Sequence, residues 1–598
     1  MKTKYILCIA LGALALSSCN DYLTRDPEDT VTDLPSFWNN ESNIRTSVIN
    51  LYTDYFKGYN SGWNRSDYFD ETNIADWTDD NAQQEATMFT KVAPAKADDK
   101  DAENPTSPWY FTNVTTINKI IERVTTSTLD DEAKNHWLGV ARFFRAMEYS
   151  RLVEAFGDVP WYDATMSSTD YDKLYKARDP RTTVMDNVLA DLQFAAQNVR
   201  VNDGTKGLSV NRDVVEAFAS RLMLFEGTWQ KYRANDKTAA AKYLNAAKTF
   251  AEDVIKSGRY SLCPDYKSLT NSIDLAGNPE MIMYRSYVEG VVTHSLMSFQ
   301  NTEHEKNSPS KSLIDSYLSA NGLPIHQTGN SQWKGDKWFA DAIANRDPRL
   351  YANIDTTGLA LNGVANVYAI SGYFGNRFVN ESLKNLPGGL SSTNITDAPI
   401  MKLNEVLMND IEACAELADL GQYTLTQADF DRTINVLRDR KSTSMPHVTL
   451  TGSNLSVNGV VINDPDRDPT VSPMLWEIRR ERRVELVYEG LRFNDLRRWG
   501  KLDYADMQKN PDINLGAWID KDRYVAWYNA KHPNKPITIE TLASVHLDRD
   551  GNAGYIKAIS NTALMRTTAD KDYLYPLPTD ELTLYQQHGK TLTQNPGW

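Results

Sequence analysis

Glu481 and Glu485 have the spacing that acid–base chemistry on a sugar would use. Residues four apart share a helical face, so their Cβ atoms would lie about 5–6 Å apart. Retaining glycosidases hold their two carboxyl groups about 5–5.5 Å apart. The same segment also carries four arginines: Arg479, Arg480, Arg482 and Arg483. Because these charges would keep both carboxylates ionised, no general acid would be left. We therefore interpret the segment as a structural ion-pair network, with a surface glycosidase as the less favoured alternative.

Arg482 shares its predicted helical face with the apolar residues Leu475 and Ile478. An arginine on an apolar face is most simply a buried guanidinium that is paired with a carboxylate. The candidate partners are Glu481, Glu485 and Glu489.

One acidic motif begins like a calcium-binding loop. Asp548-Arg549-Asp550-Gly551 supplies the first oxygen ligands, but Lys557 stands where the loop needs a bidentate glutamate. The sequence also lacks the spacing of histidines that a zinc peptidase needs and a glycine-rich phosphate loop. We therefore predict no catalytic residues, no metal site and no cofactor, with structural calcium as an open alternative.

Three segments combine aromatic and polar residues outside any helical pattern, at 63–77, 332–338 and 372–377. Exposed aromatic rings stack on the C–H faces of sugars, and polar side chains at the rim bind the hydroxyl groups. The predicted ligand-binding residues are Trp63, Asp67, Tyr68, Asn73, Asp76, Trp77, Trp333, Trp338, Tyr373 and Arg377. For any one of the aromatic residues the alternative is a place in the core, because Trp and Tyr are often partly buried. We expect truncation of Trp77 to lower ligand affinity without changing the melting temperature.

The N-terminus has the pattern of a bacterial lipoprotein. A basic start is followed by the apolar run Tyr5–Leu16, which would span about 18 Å as a helix, too short for a bilayer core of about 30 Å. Leu16-Ser17-Ser18-Cys19 resembles a lipobox, although an ordinary cleavage site beside an accidental cysteine is the alternative. We predict a signal peptide at 1–18, lipidation of Cys19 as the only membrane anchor, and a tether at 19–40.

The composition excludes several classes of protein. The chain has 598 residues, with 64 Lys and Arg against 79 Asp and Glu, and a net charge of −15. This balance argues against a nucleic-acid partner, because such binding relies on basic residues at phosphates. After Cys19 only Cys263 and Cys414 remain, too few for a disulfide scaffold, and their spacing does not show whether they pair. The chain is nevertheless rich in aromatic residues, with 14 Trp, 30 Tyr and 18 Phe.

Apolar residues at a spacing near 3.6 predict a mainly α fold. The predicted helices are Phe37–Tyr59, Asp131–Phe156, Thr182–Val199, Asn211–Trp229, Ala239–Ile255, Ile400–Ala418, Asp429–Asp439 and Pro473–Tyr488. Their arrangement in pairs resembles degraded tetratricopeptide repeats. We predict a single unit over 41–598. Its helical repeats lie mainly at 41–258, 400–440 and 473–500, and they cradle an irregular, loop-rich ligand-binding subdomain mainly at 259–399 and 500–580.

Five motifs together point to one known family. They are ARFFRAMEY at 141–149 with FGDVP at 156–160, NRDPRL at 345–350, IRRERRVEL at 478–486, EGLRFNDLRRW at 489–499 and the terminal QNPGW at 594–598. With the lipobox, this set resembles the SusD/RagB-like family of Bacteroidetes outer-membrane nutrient-binding lipoproteins.

The resemblance implies a function as well as a fold. A protein of this family would be a non-catalytic binding protein, lipid-anchored in the outer membrane and facing the cell exterior. It would capture oligosaccharides and deliver them to a TonB-dependent, SusC-like outer-membrane barrel. Capture of oligopeptides by the same architecture is the alternative. The resemblance assigns no individual ligand-contact residues.

Overall fold

The computed structural model describes residues 34–64, 77–84, 92–97, 109–305 and 307–598. The predicted signal peptide, Cys19 and most of the tether lie outside these residues. So do four predicted ligand-binding residues: Asp67, Tyr68, Asn73 and Asp76.

The described residues are mainly helical. Their α-helices are α1 (Glu41–Ile49), α2 (Tyr52–Tyr55), α3 (Thr112–Thr125), α4 (Asp131–Phe156), α5 (Tyr171–Leu174), α6 (Arg181–Asn198), α7 (Arg212–Trp229), α8 (Lys237–Lys256), α9 (Ser268–Asn271), α10 (Leu296–Phe299), α11 (Lys311–Ser316), α12 (Phe339–Ala342), α13 (Pro348–Asn353), α14 (Pro387–Leu390), α15 (Leu403–Asp419), α16 (Gln427–Asp431), α17 (Ile434–Arg438), α18 (Pro473–Glu485), α19 (Arg492–Arg498), α20 (Lys521–Lys531) and α21 (Thr579–Gln587).

Short antiparallel strands connect distant parts of the chain. They are β1 (Asn81–Gln83), β2 (Met281–Arg285), β3 (Asn307–Pro309), β4 (Ala398–Lys402), β5 (Thr449–Thr451), β6 (Asn454–Val457), β7 (Val460–Val461), β8 (Leu515–Asp520) and β9 (Ala553–Lys557). β1 pairs with β3, β2 with β4, β5 with β6, β6 with β7, and β8 with β9.

The helical part forms a layered stack in which α3 packs on α4, α4 on α6, α6 on α7, α7 on α8 and α8 on α15. Helix α7 begins where Asn211 caps it, its side chain accepting a hydrogen bond from the Val214 N–H at 3.0 Å. Gly227 allows α7 and α8 to approach closely, because a Cβ there would lie 2.6 Å from Cγ of Leu244. This stack contains the largest apolar core.

The remaining chain has apolar cores of its own. One contains Leu313, Leu350, Phe378, Ile519 and Tyr524 and lies mainly in the predicted irregular subdomain. Another joins α15, α17, β6 and α18. None of the helices in the described ranges has both the length and the apolar character that a membrane span needs.

Several predicted helices differ from the structure in their bounds. The segment Phe37–Tyr59 is divided among a 3₁₀ turn, α1 and α2, and Asp429–Asp439 is divided between α16 and α17. The segment Ile400–Ala418 starts as strand, because Ala398–Lys402 pairs with β2 before α15 begins. Helix α3 has no counterpart in the sequence prediction, and α20 lies in a stretch that we predicted to be irregular.

Arg482 is buried as predicted, but its partners are different residues. Its Nε lies 2.9 Å from Oδ2 of Asp495, and its Nη1 donates to Oδ1 of Asn409 at 2.8 Å. Glu481 forms ion pairs with Arg349 and Arg438. Glu485 forms ion pairs with Arg349 and Arg440. Sequence spacing identified the buried arginine, but its partners lie on other helices, Asp495 on the next one and Asn409 on α15.

The two cysteines that the structure describes, Cys263 and Cys414, are both buried and free. They do not form a disulfide with each other.

Glu216 on α7 provides a test of the helical stack. Burial raises its pKa to about 7, with Asp253 and Asp213 adding to the shift and Arg212 and Arg259 opposing it. When folding raises the pKa of a carboxyl group, the protein's free energy of unfolding falls as the pH increases from the group's unfolded pKa to its folded pKa.

We therefore expect Glu216→Gln to become progressively more stable than the parent between about pH 4.5 and pH 7, with a constant difference above that range. Thermal melting across this pH range measures the difference. Glu289→Gln, at an exposed side chain, is the matched control and should show no such trend. If the stability difference between Glu216→Gln and the parent does not change with pH, the raised pKa of Glu216 is contradicted.

Candidate functional site

The main candidate site is a cleft of about 370 Å³ in the predicted irregular subdomain. Helix α20 and the residue after it form one wall, and the loop 355–379 forms the other. Its lining includes Gln300, Asn301, Asp355, Thr357, Phe374, Asn376, Lys384, Tyr524, Trp527, Tyr528 and His532.

Helix α20 is held in place at its N-terminus and along its buried face. Strand β8 leads directly into it, and the Asp520 side chain caps it by accepting from the Arg523 N–H at 3.0 Å. The Tyr524 ring is 4% exposed and belongs to the apolar core below. The next residues on the same helical face, Trp527 and Tyr528, are half-buried and line the cleft.

The wall of the cleft is a continuous series of aromatic rings. The Tyr528 and His532 rings lie 4.4 Å apart between centroids and the Tyr524 and Tyr528 rings 6.2 Å apart. The Trp527 ring meets Trp338 edge to face at 5.7 Å. Such a series offers apolar ring surface beside solvent, which suits the C–H face of a sugar.

Gln300 contributes a polar group that lacks a protein partner. The residue is 1% exposed, and its Oε1 accepts from the Phe378 N–H at 3.0 Å. Its Nε2 has no hydrogen-bond partner among the residues that the structure describes. Gly375 makes room for this amide, because a Cβ at that position would lie 2.7 Å from Nε2. A buried donor without an acceptor costs about 1–3 kcal/mol. Because Nε2 is itself covered, a ligand oxygen would recover this cost only after a local shift of the cleft lining.

The loop opposite the aromatic wall has a fixed backbone. The Asp355 N–H donates to the Phe374 carbonyl at 2.8 Å, and the Asn376 N–H donates to the Asn353 carbonyl at 2.9 Å. The Asp355 side chain accepts from the Thr357 N–H at 2.8 Å. Asp355 is the only carboxylate among the described residues that line the cleft.

Two of the predicted ligand-binding residues lie beside this cleft, although neither lines it. The half-buried Trp338 supports the aromatic wall through Trp527. Trp63 is 57% exposed and contacts Phe299, the residue before Gln300, with ring centroids 6.2 Å apart. The remaining half-buried candidate, Trp333, packs against Arg346 and His326, neither of which lines the cleft.

Trp77, Tyr373 and Arg377 are withdrawn as ligand-contact residues because all three are buried. The Trp77 ring is 1% exposed and lies 5.4 Å from the Phe493 ring in the helical core. Tyr373 is 4% exposed. Arg377 is fully buried and donates to Glu489 at 2.6 Å. A polar sequence around Trp77 was therefore a poor guide to exposure.

The principal residues of the cleft were absent from the sequence prediction. Tyr524, Trp527 and Tyr528 have the i, i+3, i+4 spacing of a helical face, and Asp520 before them is a capping residue. That pattern could have revealed α20. Gln300 carries no such signal, because its importance depends on the unpaired state of its buried amide.

Glu481 and Glu485, the carboxylates considered for glycosidase chemistry, are fixed in the ion-pair network. Burial alone would raise the pKa of Glu481, but the charges of Arg349 and Arg438 outweigh it and hold the pKa at about 2. The pKa of Glu485 is likewise lowered, with Arg440 and Arg349 overcoming the effect of burial. Neither group would carry the proton that a general acid must donate near neutral pH.

Comparison with known proteins identifies the family. A family model described as the SusD family matches residues 279–598, and one described as starch-binding, associating with outer membrane, matches residues 21–224. The first match covers more than half of the chain, and this protein belongs to the SusD family. The family resemblance and the mainly helical fold predicted from sequence are thus confirmed.

Individual relatives are similar along most of their length. SusD-like protein P2 of Formosa agariphila is 22% identical over 518 residues, which cover 83% of this chain and 90% of that protein. The crystal structure of a SusD-like carbohydrate binding protein from Bacteroides fragilis has a TM-score of 0.63 at 19% identity, covering 92% of this chain and 99% of that one. Surface glycan-binding protein A from Bacteroides fluxus has a TM-score of 0.52 at 16% identity, covering 94% and 100%.

The burial of Trp77 reverses the expected effect of truncating it. Removing a buried Trp costs about 3–5 kcal/mol of stability, so Trp77→Ala should melt well below the parent. The folded fraction should keep its ligand affinity. Trp63→Ala, at a ring that is 57% exposed, is the control. Its free energy of unfolding should lie within about 0.5 kcal/mol of the parent's. An unchanged melting temperature for Trp77→Ala would contradict the buried placement.

Proposed function

We propose that this protein is a non-catalytic cell-surface binding protein that captures oligosaccharides in the cleft beside α20. It delivers them to a TonB-dependent, SusC-like outer-membrane barrel. The observation that carries the proposal is the buried Gln300 amide, whose Nε2 has no partner among the described residues at a cleft walled by aromatic rings.

The chemistry of the cleft fits a sugar. The rings of Trp527, Tyr528 and His532 supply apolar surface for a pyranose. Gln300 supplies a donor for a hydroxyl or ring oxygen, and the half-buried Asn376 supplies an amide on the opposite wall. Pockets of this kind combine much apolar surface with a few polar groups that fix orientation.

The same lining supports binding rather than hydrolysis. Glycosidases that work through two carboxyl groups need both of them beside the scissile bond. Asp355 supplies a single carboxylate among the described lining residues, and it is engaged with the Thr357 N–H. Glu481 and Glu485 lie in the buried network, with their pKa values lowered.

The membrane location and the transporter partner extend the proposal beyond the cleft. The lipobox at Cys19 supports a lipid anchor, and the family model matching residues 21–224 describes proteins that associate with the outer membrane. Delivery to a barrel rests on membership of the SusD family.

The function is tested by titrating the soluble protein with a panel of polysaccharides and with a peptide digest, while assaying each mixture for products. We expect saturable binding of at least one glycan, no binding of the digest and no products. Turnover of any glycan would show an enzyme. Binding of peptides alone would support the oligopeptide alternative.

Trp527→Ala should weaken glycan binding strongly. A ring that forms the centre of a binding surface typically contributes more than about 2 kcal/mol, or roughly thirtyfold in Kd. Isothermal titration calorimetry measures the change. Trp598→Ala is the matched control, because that ring packs on Lys571, which lies outside the cleft. If the two variants lose the same amount of glycan affinity, or if Trp527→Ala loses none, the glycan binds elsewhere.

Cys19→Ala should release the protein from outer-membrane fractions, because no lipid would be attached. Cys263→Ala, at a buried cysteine, should remain membrane-bound. In detergent extracts of cells carrying the parent protein we expect a barrel to co-purify with it. Retention of Cys19→Ala in cells lacking that barrel would contradict the lipid anchor, and recovery of the parent only as a free monomer would contradict the complex.

A further inference from the structure

Positively charged side chains lie over the aromatic rings of the cleft wall. Cζ of Arg523 is 4.2 Å from the centroid of the Trp338 ring, and Nζ of Lys531 is 4.8 Å from that of Trp527. Because each cation stands four residues from Trp527 on α20, the helix itself places them on the side of its aromatic residues. The aromatic wall therefore carries positive charge.

These two cations differ from most buried arginines of this protein. Within the described part of the chain, neither Arg523 nor Lys531 forms an ion pair with a carboxylate. By contrast, Arg349 contacts three carboxylates, those of Asp347, Glu481 and Glu485. A cation held over an aromatic ring without a carboxylate partner keeps its capacity to bind an anion.

The charge of the wall is also unusual for this chain. Residues 521–535 contain four Lys and Arg residues and one acidic residue, Asp522, in a chain of net charge −15. Asp522 accepts from Asn552 at 3.1 Å. The cleft lining contains one acidic residue, Asp355, and one lysine, Lys384, which lies 3.7 Å from Glu381. An excess of positive charge therefore remains along the aromatic wall.

The same arrangement recurs on the neighbouring strand β8. Two cations lie over the Trp518 ring: Nζ of Lys337 is 3.7 Å from the ring centroid, and Cζ of Arg549 is 5.1 Å from it. Lys337 directly precedes Trp338, so the second group continues the first. Here Asp336 and Asp548 neutralise part of the charge.

We infer that the preferred ligand is an acidic glycan, one whose sugars carry carboxylate or sulfate groups. This inference rests on the proposed function. A uronate or sulfated sugar placed against the wall would stack its C–H face on a ring surface that the cations leave open. Its anionic group would pair with Arg523 or Lys531, whose charges lie over the Trp338 and Trp527 rings.

The test compares matched glycans that differ only in charge. The probes are oligogalacturonate with its carboxyl-reduced form, and dextran sulfate with dextran of the same length. We expect the parent to bind at least one charged member at least about tenfold more tightly than its neutral counterpart, a difference of roughly 1.4 kcal/mol. The preference should shrink at high ionic strength, because salt screens exposed charges. A preference for oligogalacturonate over its reduced form would show carboxylate recognition, and a preference for dextran sulfate over dextran would show sulfate recognition.

The variant Arg523→Gln/Lys531→Gln should lose most of this preference, measured as the ratio of its affinities for the charged and the neutral member of each pair. The control Lys237→Gln/Lys256→Gln removes two charges from α8 in the helical stack and should retain the preference. Melting temperatures of both variants report on folding. Loss of the preference in the control as well would show that only the net charge matters, which overturns the inference.

The remaining outcomes separate this inference from the proposed function. Equal binding of charged and neutral glycans, abolished by Trp527→Ala, would overturn the inference and leave the proposed function intact. Glycan binding that is insensitive to Trp527→Ala, or the absence of binding to every glycan, would overturn both.

Discussion

The fold depends on a network of buried arginine–carboxylate pairs centred on α18. Arg349 at the start of α13 is 1% exposed, and it lies 2.7 Å from Glu481 and 2.8 Å from Glu485. Arg440 joins Glu485 to Glu280, at 2.7 and 2.8 Å. Buried charges are tolerated only when they are paired and hydrogen-bonded. Each such pair therefore requires its two segments to meet, which fixes the irregular subdomain on the helical stack.

A continuous path leads from this network to the cleft. Glu489, just after α18, pairs with Arg377, and Arg377 also donates to the Asn353 side chain at 3.0 Å. The next residue, Phe378, donates its N–H to Gln300 Oε1 and so orients the amide that lines the cleft. Buried contacts thus connect Glu489 of the family motif to the Gln300 side chain in the cleft lining.

The sequence was informative where local pattern determines structure. The bounds of α4 agree with the prediction because an N-terminal Asp130 cap and Gly157 mark its ends. The site was less predictable. Arg377 and Trp77 have sequence surroundings typical of a binding loop, yet tertiary packing buries both. Conversely, Gln300 became recognisable only when the structure showed a buried donor without an acceptor. Burial and pairing of single side chains depend on contacts between distant segments, which periodicity does not encode.

We propose that the cleft beside α20 holds the glycan. The most direct measurement is a crystal structure of the protein with the tightest-binding oligosaccharide of the panel. We expect a sugar ring in van der Waals contact with Trp527 or Tyr528 and a sugar oxygen hydrogen-bonded to Nε2 of Gln300. An oligosaccharide bound at another surface, with the cleft unchanged from the ligand-free protein, would contradict it.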